Sequence, residues 1–382
     1  MWPFVFIIIY QTFHICKQYL PKEFFAIGTL LLLLDPTIMA QLTLISPDVV
    51  LLMCLLYLLR SLSNFKFSWQ NTLFISLLML ISLRGVMIAL AYFICIVIFH
   101  FKRKSDFKSL CVKAIAFLPG ALLFCIYMYV HFTTKGWIGF HGDSQWSPSF
   151  QMVDLMGVIK NIVILIWRLL DFGRLIWFVI VLIFIKNFKN IIFTERQKEL
   201  TYFFVLTLFV LSINSIFYKG LLGHRYFIPP ICIGSLLLLS LLYHSLFLHR
   251  TKKIFSIIIG ISLILGNFLV YPTGISQGWD SSMAHFPYFK LRKEMYKFIE
   301  DNHIHINEIA CSFPNLAKEE YLSLSDSDVA MQDVSKMIRP KYLLMSNIYN
   351  DMYQTQQFDL KYYVLIKELK KNRVFLQLYT LK

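Results

Sequence analysis

Blocks of apolar residues, separated by short basic clusters, run along the chain from residue 2 to residue 271. A helix needs about 20 apolar residues to cross a bilayer, and fewer where it meets an interface or a pocket. The pattern therefore predicts about ten crossings, of which the third, fourth and seventh are short. They are residues 2–16, 24–45, 49–59, 69–83, 85–101, 111–131, 173–185, 200–217, 226–248 and 254–271.

Two further segments have other patterns. Residues 156–170 are apolar but carry Lys160 and Arg168, which predicts an amphipathic helix lying at the membrane interface. After Tyr271 the chain is charged and polar, and its periodicity changes within short runs. These runs predict a helix over 288–302, strands over 308–313 and 341–346, a helix near 359–371 and a strand over 374–381.

The expected fold class is an all-α polytopic membrane bundle followed by a small α/β domain outside the membrane. The bundle spans residues 1–271 with an outer loop at 132–155, and the second domain spans 272–382. Composition agrees, because 57% of residues are apolar and only 15% are charged, against roughly 25% charged in soluble domains. A soluble single-domain enzyme is thereby excluded.

The formal net charge of +15 would indicate a nucleic-acid partner in a soluble protein. Here most of the basic residues lie between crossings, so they report topology and we expect no nucleic acid. The seven cysteines are odd in number, and six lie in or beside apolar runs. They predict neither a disulfide framework nor a zinc site.

Basic residues near crossings stay on the cytoplasmic side. Alternate loops divide into a set with 15 Lys and Arg residues and a set with 7. The first set is Lys17, Lys22, Arg60, Lys66, Lys102, Arg103, Lys104, Lys108, Lys186, Lys189, Arg196, Lys198, Arg250, Lys252 and Lys253. The second is Arg84, Lys135, Lys160, Arg168, Arg174, Lys219 and Arg225. We therefore expect the N-terminus, the 132–155 loop and the C-terminal domain on the outer face.

Two carboxylates lie beside helix-breaking prolines near the predicted outer interface: Asp35 in Asp35-Pro36-Thr37 and Asp48 in Ser46-Pro47-Asp48. Carboxylates at membrane depth are costly and are functional by default, as a base for an acceptor hydroxyl or as metal ligands. Whether a divalent metal takes part stays open. The alternative is structural: Asp48 caps the next helix, and Asp35 with Pro36 ends one.

Three basic residues are predicted at the same depth, Arg84, Arg225 and Lys219. Fixed cations there suit a phosphate or pyrophosphate head group, which arginine binds through two parallel hydrogen bonds. The alternative is that their long side chains reach to lipid phosphates, as basic residues at helix ends do.

The loop from Gly136 to Pro148 combines Trp137, His141, Asp143 and Trp146. Sugar rings stack on aromatic faces while polar groups take their hydroxyls, so these four residues are candidates for sugar binding. An interfacial tryptophan anchor is the competing interpretation. The 167–174 segment is interpreted as structural, with an Arg/Asp pair at helical spacing.

Together, Asp35-Pro36-Thr37 through Ser46-Pro47-Asp48, Arg225-Tyr226-Phe227-Ile228-Pro229, and the region from Gly278-Trp279-Asp280 to Phe313-Pro314-Asn315 resemble the polytopic glycosyltransferases of the GT-C fold. The resemblance is to protein O-mannosyltransferases and lipid A aminoarabinose transferases in a bacterial form. It covers nearly all of the chain, with weak individual motifs in the same order.

The resemblance implies an enzyme of the bacterial inner membrane that uses a polyprenyl-phosphate sugar as donor and a glycan, lipid or protein as acceptor. It matches Asp48 to the second outer-loop acid and Arg225 to a basic residue near the donor phosphate. Such families carry a catalytic Asp in a first outer loop, whereas no Asp or Glu precedes Glu23 here. We therefore expect a chain that lacks the first crossing and turns over slowly or not at all as given.

Two other classes stay open. A transporter or flippase of lipid-linked sugars would also have many crossings and outward polar residues. A non-catalytic, carbohydrate-binding membrane subunit would share the aromatic loop.

Overall fold

The computed structural model describes residues 2–44, 46–104, 106–139, 141–142, 147–187, 191, 193–220, 222–272, 278, 280–312, 315–320, 326–334, 337, 339–348 and 360–382. The protein is 69% helical, and the described residues contain 14 α-helices and one small sheet. The chain divides into two compact units, Met1–Gly266 and Asn267–Lys382.

The first unit is helical throughout its described part. Its helices are α1 (Trp2–Tyr19), α2 (Phe25–Leu33), α3 (Pro36–Leu42), α4 (Pro47–Ser61), α5 (Trp69–Ile81), α6 (Leu83–Lys102), α7 (Phe107–Ile115), α8 (Leu118–Lys135), α9 (Leu155–Leu170), α10 (Leu175–Lys186), α11 (Glu195–Phe217), α12 (Ile228–His244) and α13 (His249–Gly266).

Four described helices are long and apolar enough to cross a membrane: Pro47–Asn64, Leu83–Lys102, Glu195–Phe217 and His224–His244. Two bent pairs raise the number to six if each pair is one span. The helices Trp69–Ile81 and Leu175–Lys186 are apolar but shorter. The protein is thus a helical membrane protein, and these lengths do not confirm the expected ten crossings.

The predicted crossing over 24–45 is not one helix. α2 and α3 meet at an angle of 72°. Pro36 is the first residue of α3, and the Asp35 side chain accepts hydrogen bonds from the N–H groups of Thr37 and Ile38. Proline lacks the N–H that would continue α2, and the carboxylate caps the new helix. Asp35 therefore begins a helix, whereas the structural interpretation of the sequence had it end one.

A tight joint links α9 and α10. Phe172 and Gly173 both have positive φ, 50° and 84°. A Cβ on Gly173 would lie 2.1 Å from the Ser262 carbonyl oxygen on α13, and one on Gly266 would lie 1.9 Å from the Phe172 carbonyl oxygen. Glycine at both positions allows the backbones to touch. The joint is consequently fixed against α13.

The second unit pairs a helix, α14 (Phe286–Asp301), with a five-stranded sheet. The strands are β1 (Ile309–Cys311), β2 (Gln332–Asp333), β3 (Tyr342–Ser346), β4 (Tyr363–Lys371) and β5 (Val374–Leu381), in the order β2-β1-β3-β5-β4. β1 pairs parallel with β2 and β3, and the other pairs are antiparallel. The core of this unit lies between Leu291, Met295 and Ile299 of α14 and Leu376 and Leu378 of β5.

The small α/β organisation and the last strand agree with the sequence prediction, but the prediction of a helix near 359–371 is wrong. Within the described part of that segment the chain forms β4. Asn372 and Arg373 both have positive φ, 49° and 66°, as a two-residue hairpin turn requires. The turn returns the chain as β5, and ladder pairing with β5 overrides the helical periodicity of the apolar residues.

The hairpin depends on Asn347, which is buried at its end. The Asn347 side chain donates to the Arg373 carbonyl and accepts from the Phe375 N–H at 3.0 Å. We expect Asn347→Ala to leave both groups unsatisfied at a cost of about 1–3 kcal/mol. Hydrogen exchange of the β5 amides, followed by mass spectrometry, should accelerate by about tenfold or more.

Asn302→Ala is the matched control, because that side chain bonds only within its own helix end and is exposed. Equal β5 exchange in the two variants would contradict the role given to Asn347.

Candidate functional site

Asp48 lies at the start of α4, two residues after the helix cap. Ser46 is the cap: its Oγ accepts from the Asp48 N–H and donates to Asp48 Oδ2, both at 3.2 Å. The sequence interpretation in which Asp48 itself caps α4 is therefore wrong. Asp48 is 2% exposed, and its carboxylate does not cap the helix.

Arg84 is the ion-pair partner of Asp48. The distance from Arg84 Nη2 to Asp48 Oδ1 is 2.7 Å. Arg84 is thus the partner of Oδ1, while Ser46 is the partner of Oδ2.

The position of Arg84 follows from the junction between α5 and α6. Ser82 caps α6 by accepting from the Gly85 N–H. A Cβ on Gly85 would lie 1.7 Å from the Leu78 carbonyl oxygen, so only glycine permits this close approach. The sequence Ser82-Leu83-Arg84-Gly85 therefore sets Arg84 on the first turn of α6.

A third element brings Arg225 and Tyr226 to the same place. Arg84 Nη1 donates to the Arg225 carbonyl at 3.3 Å. The Arg84 guanidinium lies 4.7 Å from the centroid of the Tyr226 ring, and that of Arg225 lies 5.3 Å from it. We call Asp48, Arg84, Arg225 and Tyr226 the Arg84 cluster. Two cations on one aromatic ring form a positive surface beside a single carboxylate.

Asp35 belongs to a second, more deeply buried group. Arg174, 1% exposed, donates through Nε to Asp35 Oδ2 at 2.7 Å and through Nη2 to Oδ1 at 2.9 Å. It also donates to the Thr37 hydroxyl and, at 3.2 Å, to Asp171. Asp171 in turn contacts His224 Nε2 at 2.7 Å. We call Asp35, Asp171, Arg174 and His224 the Arg174 network.

The two groups meet in a 3₁₀ turn, His224–Phe227, which precedes α12. His224 faces Asp171, while the next residue, Arg225, offers its carbonyl to Arg84. The Arg174 network thus anchors the turn that carries half of the Arg84 cluster.

The surroundings of Asp35 and Asp48 differ in one respect that matters for proton transfer. Both Asp35 oxygens accept from Arg174, and Oδ1 also accepts from two backbone N–H groups. Those bonds stabilise the charged form and leave little room for a substrate proton. Asp35 fits a structural role, and Asp48 is the better placed of the two candidates for a base.

The other predicted site residues lie elsewhere or outside the described residues. Lys219 is exposed, and its backbone N–H donates to the Gln151 carbonyl. Trp137 stacks edge-on with His131 at 4.3 Å and lies 5.6 Å from His141. Asp143 and Trp146 fall outside the described residues.

Sequence reasoning missed the functional relevance of Tyr226 and His224. Both belong to the string Gly223-His224-Arg225-Tyr226, in which two polar groups and an aromatic ring follow a glycine at a predicted helix start. This clustering is the signal by which the two residues could have been found. No sequence signal pointed to the contact of Arg174 with Asp35 or to that of His224 with Asp171, because these partners are 139 and 53 residues apart.

No group of three His, Cys, Asp or Glu residues that could hold a metal ion occurs within the described residues. All seven cysteines are unpaired. Outside the bundle, burial raises the pKa of the Cys311 thiol well above its ordinary value, which disfavours the reactive thiolate.

The Arg84 cluster thus brings a carboxylate, two guanidinium groups and an aromatic ring together at one end of the bundle. Gln41 on α3 is a further buried side chain whose amide nitrogen and oxygen both lack a hydrogen-bond partner, and such a group calls for a polar neighbour.

In comparisons with known proteins, no family model, no curated protein and no solved structure matches this chain.

Proposed function

We propose that the protein is a membrane glycosyltransferase that moves a sugar from a polyprenyl-phosphate donor to an acceptor hydroxyl. The observation that carries this proposal is the Arg84 cluster, in which the buried carboxylate of Asp48 pairs with Arg84, and Arg84 and Arg225 both lie against the Tyr226 ring. Glycosyl transfer from a phosphate needs these two kinds of group, a base for the acceptor and cations for the leaving phosphate.

Asp48 takes the acceptor proton on Oδ1 as the acceptor oxygen attacks the anomeric carbon of the sugar. The bond from that carbon to the phosphate oxygen breaks, and the electron pair leaves with the polyprenyl phosphate. Arg84 and Arg225 stabilise the charge that develops on the phosphate. The proton ends on Asp48, and the sugar ends on the acceptor.

In the proposed reaction, the ion pair between Asp48 and Arg84 is the state of the site before the donor binds. A donor phosphate competes with Asp48 for Arg84, because arginine binds phosphate through two parallel hydrogen bonds. Once Arg84 turns to the phosphate, Asp48 Oδ1 is released for the acceptor hydroxyl. Donor binding would in this way prepare the carboxylate for the acceptor.

The membrane orientation follows from the basic loops. With those loops cytoplasmic, the Arg84 cluster and the C-terminal unit lie on the outer face of a bacterial inner membrane. Helices α1, α5, α10 and α13, added to the four long helices and the two bent pairs, then make about ten crossings. Trp137 and His141, just after α8, lie on the same outer side and are candidates for sugar stacking.

One observation favours a second candidate, a flippase of lipid-linked sugars. The 72° break between α2 and α3 resembles the discontinuous helices that line transporter sites. Transfer of the sugar to an acceptor distinguishes the two, because a flippase moves the donor intact.

The first prediction is that Asp48→Asn lowers sugar transfer by about 10²- to 10⁴-fold, because the amide cannot take a proton. The assay follows radiolabelled sugar from a panel of polyprenyl-phosphate donors to lipid and glycan acceptors in proteoliposomes. Arg225→Gln should weaken donor binding, raising KM by about tenfold or more.

Two exposed residues serve as controls, Asp106→Asn in the basic loop before α7 and Arg250→Gln on α13. Both should retain wild-type transfer. Wild-type transfer is expected to be slow, as the resemblance implies. The proposal fails if no donor in the panel is bound or consumed, or if transfer survives Asp48→Asn at the level of these controls.

The second prediction concerns topology. Alkaline phosphatase, which is active only outside the cytoplasm, should be active when fused after residue 280 and inactive when fused within the 102–108 loop. The reverse pattern at either point would overturn the orientation and with it the outer position of the Arg84 cluster.

A further inference from the structure

A polar cavity lies at the other end of the bundle, where α1 and α12 end and α11 begins. Its volume is about 300 Å³, at the lower end of cavities that hold small ligands. Every residue that lines it is polar: Gln18, Tyr19, Thr194, Glu195, Arg196, Ser240 and His244. We call it the Arg196 cavity.

Two lining residues, Tyr19 and Ser240, are buried, and Ser240 is held from behind the wall by Gln197. Gln197 Nε2 donates to Ser240 Oγ at 3.0 Å, and Ser240 Oγ donates to the Tyr19 carbonyl at 2.9 Å. Thr194 and Gln197 form a reciprocal capping box that fixes the start of α11. The wall is therefore preformed, so that little ordering is needed on binding.

Two basic side chains are fixed at the cavity. Arg196 Nη1 donates to the Gln18 carbonyl at 2.7 Å, which leaves the other guanidinium N–H groups for a ligand. His244 Nδ1 lies 2.9 Å from the Ser240 carbonyl oxygen. Because a carbonyl only accepts, Nδ1 carries the proton, and Nε2 of the neutral ring is an acceptor for a ligand hydroxyl. The exposed Glu195 forms an ion pair with Lys198 at 2.6 Å.

Several features identify the ligand as a lipid. The cavity opens on the side of the basic loops, where Lys17, Arg250 and Lys252 add to the positive potential, and such pockets between helix ends suit acidic headgroups. Leu246 and Leu248, just beyond His244, are exposed. An apolar surface next to a cationic cavity fits acyl chains next to a phosphate.

We propose that the Arg196 cavity binds the headgroup of an anionic phospholipid from the leaflet on the basic-loop side. Arg196 holds the phosphate, and His244 Nε2 and the Gln18 amide take headgroup hydroxyls. This site is separate from the Arg84 cluster and does not depend on the proposed glycosyl transfer.

The full-length protein in detergent would be titrated with dioleoyl-phosphatidylglycerol and, in parallel, with dioleoyl-phosphatidylcholine. The shift in thermal unfolding midpoint gives an apparent dissociation constant for each lipid. The wild type should prefer phosphatidylglycerol by about tenfold or more, and Arg196→Gln should abolish that preference. His244→Gln, the second variant, should reduce it.

The matched control is Lys253→Gln, which removes one exposed basic charge from the same set of basic loops and should keep the preference. A wild type that binds both lipids equally would refute the proposal. So would a Lys253→Gln variant as impaired as Arg196→Gln, since diffuse surface charge would then explain the binding. Binding of free glycerol phosphate as tight as that of phosphatidylglycerol would show a soluble phosphate site and overturn the lipid assignment.

Discussion

The buried ion pair between Arg174 and Asp35 is the constraint on which the architecture of the first unit depends. A guanidinium group that is 1% exposed pays a large desolvation cost, which is offset only where good geometry satisfies its donors. Three segments far apart in sequence supply that geometry: the break before α3, the joint before α10 and the turn before α12. The broken helix and the strained joint place Asp35 and Arg174 within reach of each other.

The same constraint positions the candidate site. His224 is held by Asp171, and the turn that follows delivers Arg225 and Tyr226 to Arg84. The opposite end of the bundle carries another ion pair, between the half-exposed Arg103 and the buried Glu199, and Arg103 also donates to the Ser63 carbonyl. Ion pairs therefore fix helix ends on both sides of the apolar bundle.

Sequence patterns predicted what depends on local chemistry. The last strand, β5, agrees with the prediction at both ends, and Asp48, Arg84 and Arg225 do lie together. The failures depend on distant partners. Strand β4 exists because β5 pairs with it, and Asp35 is engaged because Arg174, 139 residues later, reaches it. The periodicity of one segment carries no information on its tertiary partner.

A double-mutant cycle on Asp35 and Arg174 tests this account most directly. The variants Asp35→Asn, Arg174→Met and the pair would be unfolded by heat in detergent, with a thiol-reactive dye reporting exposure of the buried cysteines. Each single change leaves a buried charge without its main partner and should cost about 3–5 kcal/mol. The double variant should cost less than either, since the asparagine can still cap α3 and Asp171 keeps Arg168 and His224. A double variant whose loss equals the sum of the two single losses would contradict the account.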